Sequence, residues 1–371
     1  MPTVLQKLNL AVVGACRRGA AFKAGLAACP EVRLHAVCDL DPEGLDEAAA
    51  SFGAAEKYTD YEQLLSSPDL DAVIVATPMH LHATQATMAL QRGLHVLSEV
   101  TAAVSVDECR QLVAATKASA GTYMLAENCN YFLTNVVVRE LVRRGLLGTP
   151  YYAEAEYLHN VVDLAEKTTW RRHWALGVDG ITYGTHSLGP VLSWMAGDRV
   201  TRVCCAGSGH HYQDPRGDEY HQDTHVMLCQ MASGGLVKIR VDMVSERPYV
   251  TCTYQLQGTE GVYESARSRD DLHRVWLRSL SPDAETWLDL KELQDQYLPE
   301  GWAEGLERSK GSGHGGSDYF VVLAFLQAAL GRRPPDIDVH AAMDMTLPGL
   351  ISQESMQRGG AWVDVPDSRE W

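Results

Sequence analysis

The first third of the chain alternates short apolar runs with longer amphipathic segments, and no other feature restricts its fold as strongly. The apolar runs at 8–13, 32–38, 72–75, 95–97 and 123–126 have the length of buried strands, and the segments at 20–28, 42–51, 81–92 and 106–118 have the length of helices. This is the spacing that right-handed βαβ crossovers require. The pattern predicts an α/β fold in which residues 1–126 form a doubly wound parallel sheet, a Rossmann domain.

After Glu127 the pattern changes to longer, alternating and aromatic segments at 151–157, 226–231, 235–244 and 250–256. A helix at 135–144 precedes them, and helices at 318–330 and 339–358 close the chain. Alternation with glycine turns predicts an open, mainly antiparallel sheet with one covered face. We therefore expect residues 127–371 to form an α+β domain for substrate binding and oligomerisation. The segment from about 339 to 371 is a candidate to pack back on the first domain.

Charge and composition exclude several classes of function. The chain has 32 Lys and Arg against 48 Asp and Glu, a formal charge of -16, which repels nucleic acid and anionic membrane surfaces. Its apolar runs fall far short of the ~18 residues of a membrane span, and its first residues do not resemble a signal peptide. Nine cysteines without CxxC spacing indicate free, buried thiols. We expect a cytoplasmic protein with no nucleic acid or membrane partner.

A glycine turn follows the first predicted strand and opens the first predicted helix. In Val12-Val-Gly-Ala-Cys-Arg-Arg-Gly19, Gly14 permits a tight turn and Gly19 a close helix approach, while Cys16 stands where a second glycine meets a pyrophosphate. Asp39, at the end of the second strand, would accept hydrogen bonds from a ribose and repel a 2′-phosphate. The turn predicts NAD bound by backbone N–H groups, with Arg17 and Arg18 as local cations. The alternative is a plain turn followed by a helix-capping aspartate.

Polar residues also follow the third, fourth and fifth strands, at the edge of the sheet where ligands bind. Buried carboxylates at two of these ends are costly unless they have partners, so we expect them on the nicotinamide side of the site. The alternative for the histidine is a helix N-terminal position. The candidates are Thr77, Pro78, His82, Glu99, Glu127 and Asn128.

These residues resemble the Gfo/Idh/MocA superfamily of NAD(P)-dependent, sugar-handling oxidoreductases over essentially the whole chain. Five further segments are similar to the NAD-dependent α-N-acetylgalactosaminidase-like glycoside hydrolases of that superfamily. In order, they are Trp170-Arg171, Tyr183–Pro190, Asp242–Tyr249, His314–Tyr319 and Gly359–Pro366. Ordinary dehydrogenases of the superfamily have Glu-Lys-Pro after the fourth strand, where the lysine assists proton transfer. Here Val100 and Thr101 stand in the Lys and Pro positions, and an apolar residue cannot relay a proton.

The resemblance implies a hydrolysis that passes through transient oxidation of the sugar. NAD+ takes hydride from C3, the C2 proton becomes acidic, the anomeric group is eliminated, water adds, and the hydride returns. His186 would bind or deprotonate the oxidised hydroxyl, Tyr183 would hydrogen-bond the sugar, and Tyr157 would abstract the C2 proton with help from Arg171 or His159. Because Tyr183 and His186 are three residues apart, a helical segment would place them on one face. Helix capping by His186 and packing by the two tyrosines are the alternatives.

Further candidates complete the predicted site. Substrate-binding candidates are Glu127, Arg171, Tyr249 and His314, and Trp170 and Tyr183 join the cofactor site. Tyr249 could instead belong to a simple turn. His314 lies in a Gly-rich loop, and a helix N-cap would explain Asp318 without a ligand.

Three functions remain open at the level of sequence. The first is an NAD-dependent glycosidase acting on a small glycoside. The second is a sugar or cyclitol dehydrogenase that releases NADH, and the third is a non-catalytic cofactor-binding regulator. The histidine pairs, such as His221 and His225, lack the spacing of a zinc site, so we expect no metal. By analogy with the superfamily we expect a homo-oligomer, a dimer or tetramer.

Overall fold

The computed structural model describes residues 7–217, 220–248 and 250–371, which form two compact units. The first unit contains the chain up to Tyr131 together with Gly301–Met343 and Ser368–Trp371, and the second contains Phe132–Glu300 and Asp344–Asp367. This division differs from the one expected at residue 126, because the segment after residue 300 joins the first unit. There the Leu125 N–H donates to the Ile337 carbonyl at 3.0 Å, which ties the returning segment to the end of a sheet strand.

The elements follow one another with short connections. In chain order, the described strands are β1 (Leu8–Val13), β2 (Val32–Cys38), β3 (Glu56–Tyr58), β4 (Ala72–Val75), β5 (His95–Ser98), β6 (Tyr123–Leu125), β7 (Pro150–Leu158), β8 (Val200–Gly207), β9 (Thr224–Met231), β10 (Leu236–Asp242), β11 (Cys252–Gly258), β12 (Gly261–Glu264), β13 (Arg274–Leu277), β14 (Leu288–Asp289) and β15 (Val363–Asp364). The α-helices are α1 (Lys23–Ala27), α2 (Pro42–Phe52), α3 (Tyr61–Leu65), α4 (His82–Gln91), α5 (Val106–Ala118), α6 (Leu133–Arg143), α7 (Val162–Lys167), α8 (Trp170–Trp174), α9 (Thr185–Trp194), α10 (Leu290–Tyr297), α11 (Trp302–Arg308), α12 (Ser317–Ala329) and α13 (Val339–Gln357). Short 3-10 helices lie at Arg18–Phe22, Met79–Leu81, Asn128–Tyr131, His314–Gly316 and Ser368–Glu370.

The first unit contains a parallel sheet in the order β3-β2-β1-β4-β5-β6. Every residue of β4 is buried, as expected for strands that helices cover on both faces. The predicted Rossmann architecture is confirmed. Sequence reasoning missed β3 and α3, because Glu56-Lys-Tyr58 has only three residues, two of them charged and exposed at the sheet edge. It also predicted one helix at 20–28, where the structure has a 3-10 turn followed by the short α1.

The second unit contains a mixed sheet in the order β14-β13-β12-β11-β7-β10-β9-β8-β15. Its pairs are antiparallel except for β7 and β10, which run parallel, so the prediction of a mainly antiparallel sheet is confirmed. Helix α9 packs on β7 and β11 and covers one face. The buried Trp194 at the end of α9 donates its indole N–H to the Asn135 carbonyl at 2.9 Å, which joins α9 to α6.

Two expectations about the chain as a whole can be compared with the structure. All nine cysteines are free, and six of them are buried, as their positions in apolar runs predicted. Among the described residues, the structure contains no helix with both the length and the apolar character that crossing a bilayer demands.

Candidate active site

Both glycines of the predicted dinucleotide turn are required by its geometry. Gly14 has φ +81°, and a side chain there would place its Cβ 2.5 Å from the Ala76 carbonyl oxygen on the neighbouring strand. A Cβ on Gly19 would lie 2.7 Å from the Gly14 oxygen, to which the Gly19 N–H donates at 3.0 Å. The turn therefore depends on a left-handed residue and on a close approach of backbone to backbone.

Asp39 lies beside this turn, as the spacing predicted. One oxygen of its carboxylate accepts the Cys16 N–H at 2.9 Å and the other accepts the Asp41 N–H at 3.2 Å. A carboxylate has about four acceptor sites, so ribose hydroxyls can still bind there. Burial, together with the nearby Asp39 charge, raises the pKa of Cys16 to about 12, which leaves a neutral thiol in the turn. This set of donors and acceptors fits the adenosine end of NAD.

Arg18 has protein partners of its own. Its guanidinium lies 2.5 Å from Glu99 and 3.5 Å from Asp318, whose side chain is fully buried. Burial would lower the pKa of Arg18, but the two carboxylates raise it above its usual value, so the group stays charged. Arg18 therefore forms an ion-pair network inside the first unit, and its role toward the cofactor phosphates stays a prediction. Arg17 shows no comparable contact among the described residues and stays a candidate.

Asp318 is not a helix N-cap, in contrast to the alternative considered from the sequence. Helix α12 begins at Ser317 with Gly316 as its N-cap, and no side chain caps it. The Asp318 carboxylate instead accepts from Nδ1 of His314, with both oxygens at 3.0 Å. Asp318 therefore joins the Gly-rich loop that carries His314 to the arginine of the dinucleotide turn.

We expect Asp318→Asn to destabilise the protein by about 2 kcal/mol, because a buried charged acceptor shared by Arg18 and His314 becomes a neutral amide. Urea unfolding of the purified variant measures this. The matched control is Asp46→Asn, which weakens the exposed ion pair with Lys57 and should cost at most about 0.5 kcal/mol. Equal effects of the two substitutions would show that Asp318 has no special role.

The segments that follow β4 and β5 are joined through the side chain of His82. His82 is buried, with Nδ1 2.8 Å from the Thr101 carbonyl and Nε2 2.8 Å from the Thr77 carbonyl. Burial is the largest influence on the pKa of His82 and lowers it, while the two carbonyls act in the opposite direction. The ring lies between the Thr77-Pro78 turn and the Thr101 segment, and its role toward the cofactor stays a prediction. The Thr77 hydroxyl itself donates to Gln85 at 2.5 Å.

The segment in which ordinary dehydrogenases of the superfamily have a lysine after β5 is buried in this protein. Val100 and Thr101 are 3% and 4% exposed, and the peptide bond between them is cis. The Val100 N–H donates to the Glu99 carboxylate at 3.2 Å, which is the same carboxylate that pairs with Arg18. This segment of the first unit thus contains no proton-relaying side chain in place of the lysine.

Glu127 and Asn128 follow β6, as predicted. Glu127 is fully buried, and one carboxylate oxygen accepts the Cys129 N–H at 3.0 Å. Asn128 is buried at the start of a 3-10 helix. Their roles toward sugar and cofactor stay predictions.

In the second unit, three predicted catalytic side chains lie together. The Tyr157 ring is stacked on the Tyr183 ring with centroids 5.8 Å apart, and the His186 ring lies 4.9 Å from Tyr157 and 5.5 Å from Tyr183. Tyr157 is buried on β7, whereas Tyr183 and His186 are half-buried. We call these three residues and His159 the aromatic-histidine cluster.

The predicted helical segment is only partly helical. Helix α9 begins at Thr185, so His186 lies in its first turn and Tyr183 precedes it. Gly184, which lies between them, has helical backbone angles (φ -74°, ψ -15°), so the two rings approach each other across a turn that leads directly into α9. The His186 carbonyl accepts from the Tyr254 hydroxyl at 2.7 Å, which fixes the start of α9 to β11.

His159 and Arg171, the two candidate helpers of Tyr157, have different contacts. The Tyr157 oxygen lies 2.8 Å from His159 Nδ1. The Arg171 guanidinium lies over the Trp170 ring, 4.1 Å from its centroid, and donates to the Thr168 hydroxyl at 2.7 Å. Burial lowers the pKa of His159, and repulsion from His186 and Arg171 lowers it further. Trp170 and Arg171 are therefore adjacent in space on α8.

The remaining predicted residues lie in the Gly-rich loop of the first unit, at the start of β9, or outside the described residues. Tyr249 lies outside the described residues. His314 belongs to the first unit, where it has φ +51° and bonds to Asp318. His221 and His225 have rings 4.9 Å apart, yet His221 Nε2 lies 3.0 Å from the Ala175 carbonyl and His225 Nε2 lies 3.1 Å from Asp179. Burial lowers the pKa of His225 to about 4, so its ring is neutral at pH 7.

Sequence reasoning missed the pairing of Arg18 with Asp318. The two residues are 300 positions apart, and no local spacing connects them. The available signal was a charged residue in the first turn of the otherwise apolar helix α12, a pattern that also suits an exposed helix start.

Two protein-family models match this chain. A family model described as the C-terminal domain of glycosyl hydrolase 109 matches residues 131–370. The chain belongs to glycosyl hydrolase family 109. A second model, for the Gfo/Idh/MocA oxidoreductase family with an NAD-binding Rossmann fold, matches residues 8–127. The predicted superfamily and the prediction of NAD as cofactor are confirmed.

Family 109 relatives match over nearly the full chain. A family 109 protein of Saccharopolyspora erythraea is 32% identical over 98% of this chain and 83% of its own. One from Solibacter usitatus is 31% identical over 97% of this chain and 88% of its own.

Solved structures of similar fold are dehydrogenases. Levoglucosan dehydrogenase in complex with NADH and levoglucosan has a TM-score of 0.83 at 21% identity, covering 97% of this chain and 100% of that one. Scyllo-inositol dehydrogenase from Lactobacillus casei has a TM-score of 0.74 at 17% identity, covering 98% and 99%. At these identities the similarity shows the fold alone.

Proposed function

We propose that this family 109 protein is an NAD-dependent glycosidase that cleaves a small glycoside through transient oxidation at C3. The observation that carries the proposal is the aromatic-histidine cluster, in which two phenols and two imidazoles contact one another. The stretch after β5 supports it, because the buried Val100 and Thr101 leave no lysine where a dehydrogenase has its proton relay.

NAD would be held by the turn from Gly14 to Gly19 and by Asp39. When bound, it supplies an acceptor for the C3 hydride and returns that hydride at the end of the cycle. The remaining chemistry is proton transfer, and it falls to side chains. A pair of carboxylates flanking the glycosidic bond, as in ordinary glycosidases, is not needed for this route.

His186 is proposed to take the proton of the C3 hydroxyl as that carbon is oxidised. An imidazole has an ordinary pKa of about 6.5, which suits a general base at neutral pH. Tyr157 takes the proton at C2, which is acidic once C3 is a ketone, and the electron pair of the C2–H bond forms the C1–C2 double bond as the anomeric group leaves. Tyr183, stacked on Tyr157, orients the sugar through its hydroxyl.

Other groups would bind the substrate without taking part in proton transfer. Arg171, held over Trp170, offers guanidinium donors to sugar hydroxyls. Glu127 and His314 stay proposed hydroxyl partners in the first unit. A neutral glycoside needs no long-range attraction, which is compatible with the net charge of -16.

The proposal predicts cleavage without net redox change. Purified protein loaded with NAD+ is incubated with a panel of aryl glycosides, and aglycone release and NADH absorbance are followed together. We expect aglycone release over many turnovers with NADH never exceeding one equivalent per enzyme. Continuous NADH accumulation without aglycone would identify a dehydrogenase, and no reaction with any glycoside, with NAD bound, would favour a regulator.

A further inference from the structure

Tyr157 is the weakest base in the proposed scheme. An ordinary phenol titrates near pH 10, so less than about 1% is ionised at pH 7. A buried tyrosine that removes a C–H proton therefore needs a second group to accept its own hydroxyl proton. His159 lies at hydrogen-bond distance from that oxygen.

The geometry of His159 suits this task. Nδ1 lies 2.8 Å from the Tyr157 oxygen, and the two rings meet edge to face with centroids 5.7 Å apart. Both residues are on one strand and its end, two positions apart, so the contact does not depend on a mobile loop. The backbone N–H of His159 donates to the Asp242 carbonyl at 2.9 Å, which fixes the backbone of His159 to β10.

The electrostatic surroundings keep the His159 ring in its neutral form. The groups that face it include the Tyr157 hydroxyl from β7, His186 from α9 and Arg171 from α8. Burial and repulsion from the latter two lower the pKa of His159, so the ring is neutral at pH 7 and offers a lone pair. A neutral imidazole beside a phenol accepts the hydroxyl hydrogen when Nδ1 is the unprotonated nitrogen.

We propose that His159 is the proton acceptor of Tyr157, forming a tyrosine–histidine relay that makes the phenol the base for C2. This inference rests on the proposed function and deepens it. In the step, the C2–H bond breaks and its proton bonds to the phenol oxygen. The original phenol proton moves to His159 Nδ1. The C2 electron pair forms the C1–C2 double bond while the bond between C1 and the glycosidic oxygen breaks, and the electrons of that bond leave with the aglycone. His159 acts through Tyr157 and is therefore a positioning and proton-accepting residue rather than a substrate contact.

The test isolates the C2 step from hydride transfer. NAD+-loaded protein is given a 3-keto aryl glycoside directly, in D2O, and loss of the C2 proton signal is followed by NMR together with aglycone release. Because the ketone is supplied, the readout does not require the protein to oxidise its substrate. Failure of the glycosidase proposal would appear as absent exchange in the wild type, whereas failure of the relay would appear as normal exchange in the His159 variants.

Two substitutions at His159 distinguish proton acceptance from packing. His159→Ala removes the contact, while His159→Asn keeps an amide oxygen near the position of Nδ1 that can accept a hydrogen bond but not a proton. We expect both to slow C2 exchange by about 100-fold or more, similar to Tyr157→Phe. Restoration of near wild-type exchange by asparagine would overturn the relay and leave His159 with a structural role.

The pH profile provides a second readout. In the wild type, exchange should be level from pH 7 to pH 9, since the lowered pKa of His159 keeps its ring neutral there. In His159→Asn, residual exchange should rise about tenfold per pH unit over that range, because it follows the fraction of ionised phenol. An identical profile in both proteins would contradict the proposal.

Tyr152→Phe is the matched control. Tyr152 is also on β7, and its hydroxyl donates to Glu154 at 2.6 Å, on the opposite face of the strand from Tyr157. We expect it to leave C2 exchange within twofold of the wild type. A comparable loss in this control would show that removing any β7 hydroxyl disturbs the sheet, and the relay would then be unsupported.

Discussion

Replacing His186 with alanine is expected to lower glycoside turnover by about 1,000-fold, the loss typical of a missing general base. The ring contacts both Tyr157 and Tyr183, with centroids 4.9 Å and 5.5 Å apart. The substitution removes those contacts but keeps the backbone carbonyl to which Tyr254 donates, so the start of α9 should persist. Steady-state aglycone release measures the effect.

NAD binding should survive the same substitution. The residues proposed to hold the cofactor, Gly14, Gly19 and Asp39, make their contacts with one another and with the strands beside them. Fluorescence titration with NAD+ should therefore give a dissociation constant within twofold of the wild type. His340→Ala is the control, since this half-buried histidine bonds only to Ser368 among the described contacts and should retain full turnover. Unchanged turnover in His186→Ala would show that the site is misplaced.

The second large effect is expected at the dinucleotide turn. Gly14→Ala puts a side chain on a residue with left-handed backbone angles. Its Cβ would lie 2.5 Å from the carbonyl oxygen of Ala76, and that oxygen belongs to backbone that cannot move aside easily. We expect the free energy of unfolding to fall by about 3 kcal/mol, of which roughly 1 kcal/mol comes from the backbone conformation and the rest from the steric overlap. NAD affinity should fall together with it. Urea unfolding and NAD+ titration measure the two losses.

Gly53→Ala separates the two causes. Gly53 follows α2 with φ +64°, and a Cβ there would meet nothing within 4 Å. Gly53→Ala therefore has the conformational cost without the steric overlap. It should lower the free energy of unfolding by only about 1 kcal/mol and leave NAD binding unchanged. If the two alanine variants were equally stable, the close approach of Gly14 to Ala76 would not matter.

The parallel sheet was predictable because its signal is local. Each buried strand needs a short apolar run, and each crossover needs a helix-length segment, so the order of elements can be read along the chain. Strand β3 was not predictable in this way, since Glu56 and Lys57 sit on an exposed edge where no burial pattern is imposed. Spacing alone also left open whether Tyr183 belongs to helix α9, which begins at Thr185, two residues after it.

The candidate site was predicted in its residue types and only partly in its contacts. Glycines and Asp39 could be placed because a βα turn fixes their separation along the chain. The partner of Arg18 could not, because Asp318 arrives from a segment that returns to the first unit long after the turn is formed. The hydrogen-bond distance between Tyr157 and His159 likewise required the side-chain positions.

The sequence by itself determined the order of the main strands and helices of the parallel sheet and the NAD-binding turn, since each follows from burial or backbone rules acting over a few residues. Tertiary structure alone decided which charged and aromatic groups meet. Arg18 pairs with Glu99 and Asp318, and Tyr157 meets His159. Such contacts depend on how elements pack in three dimensions, and a linear pattern of residues does not encode the distances between side chains that packing creates.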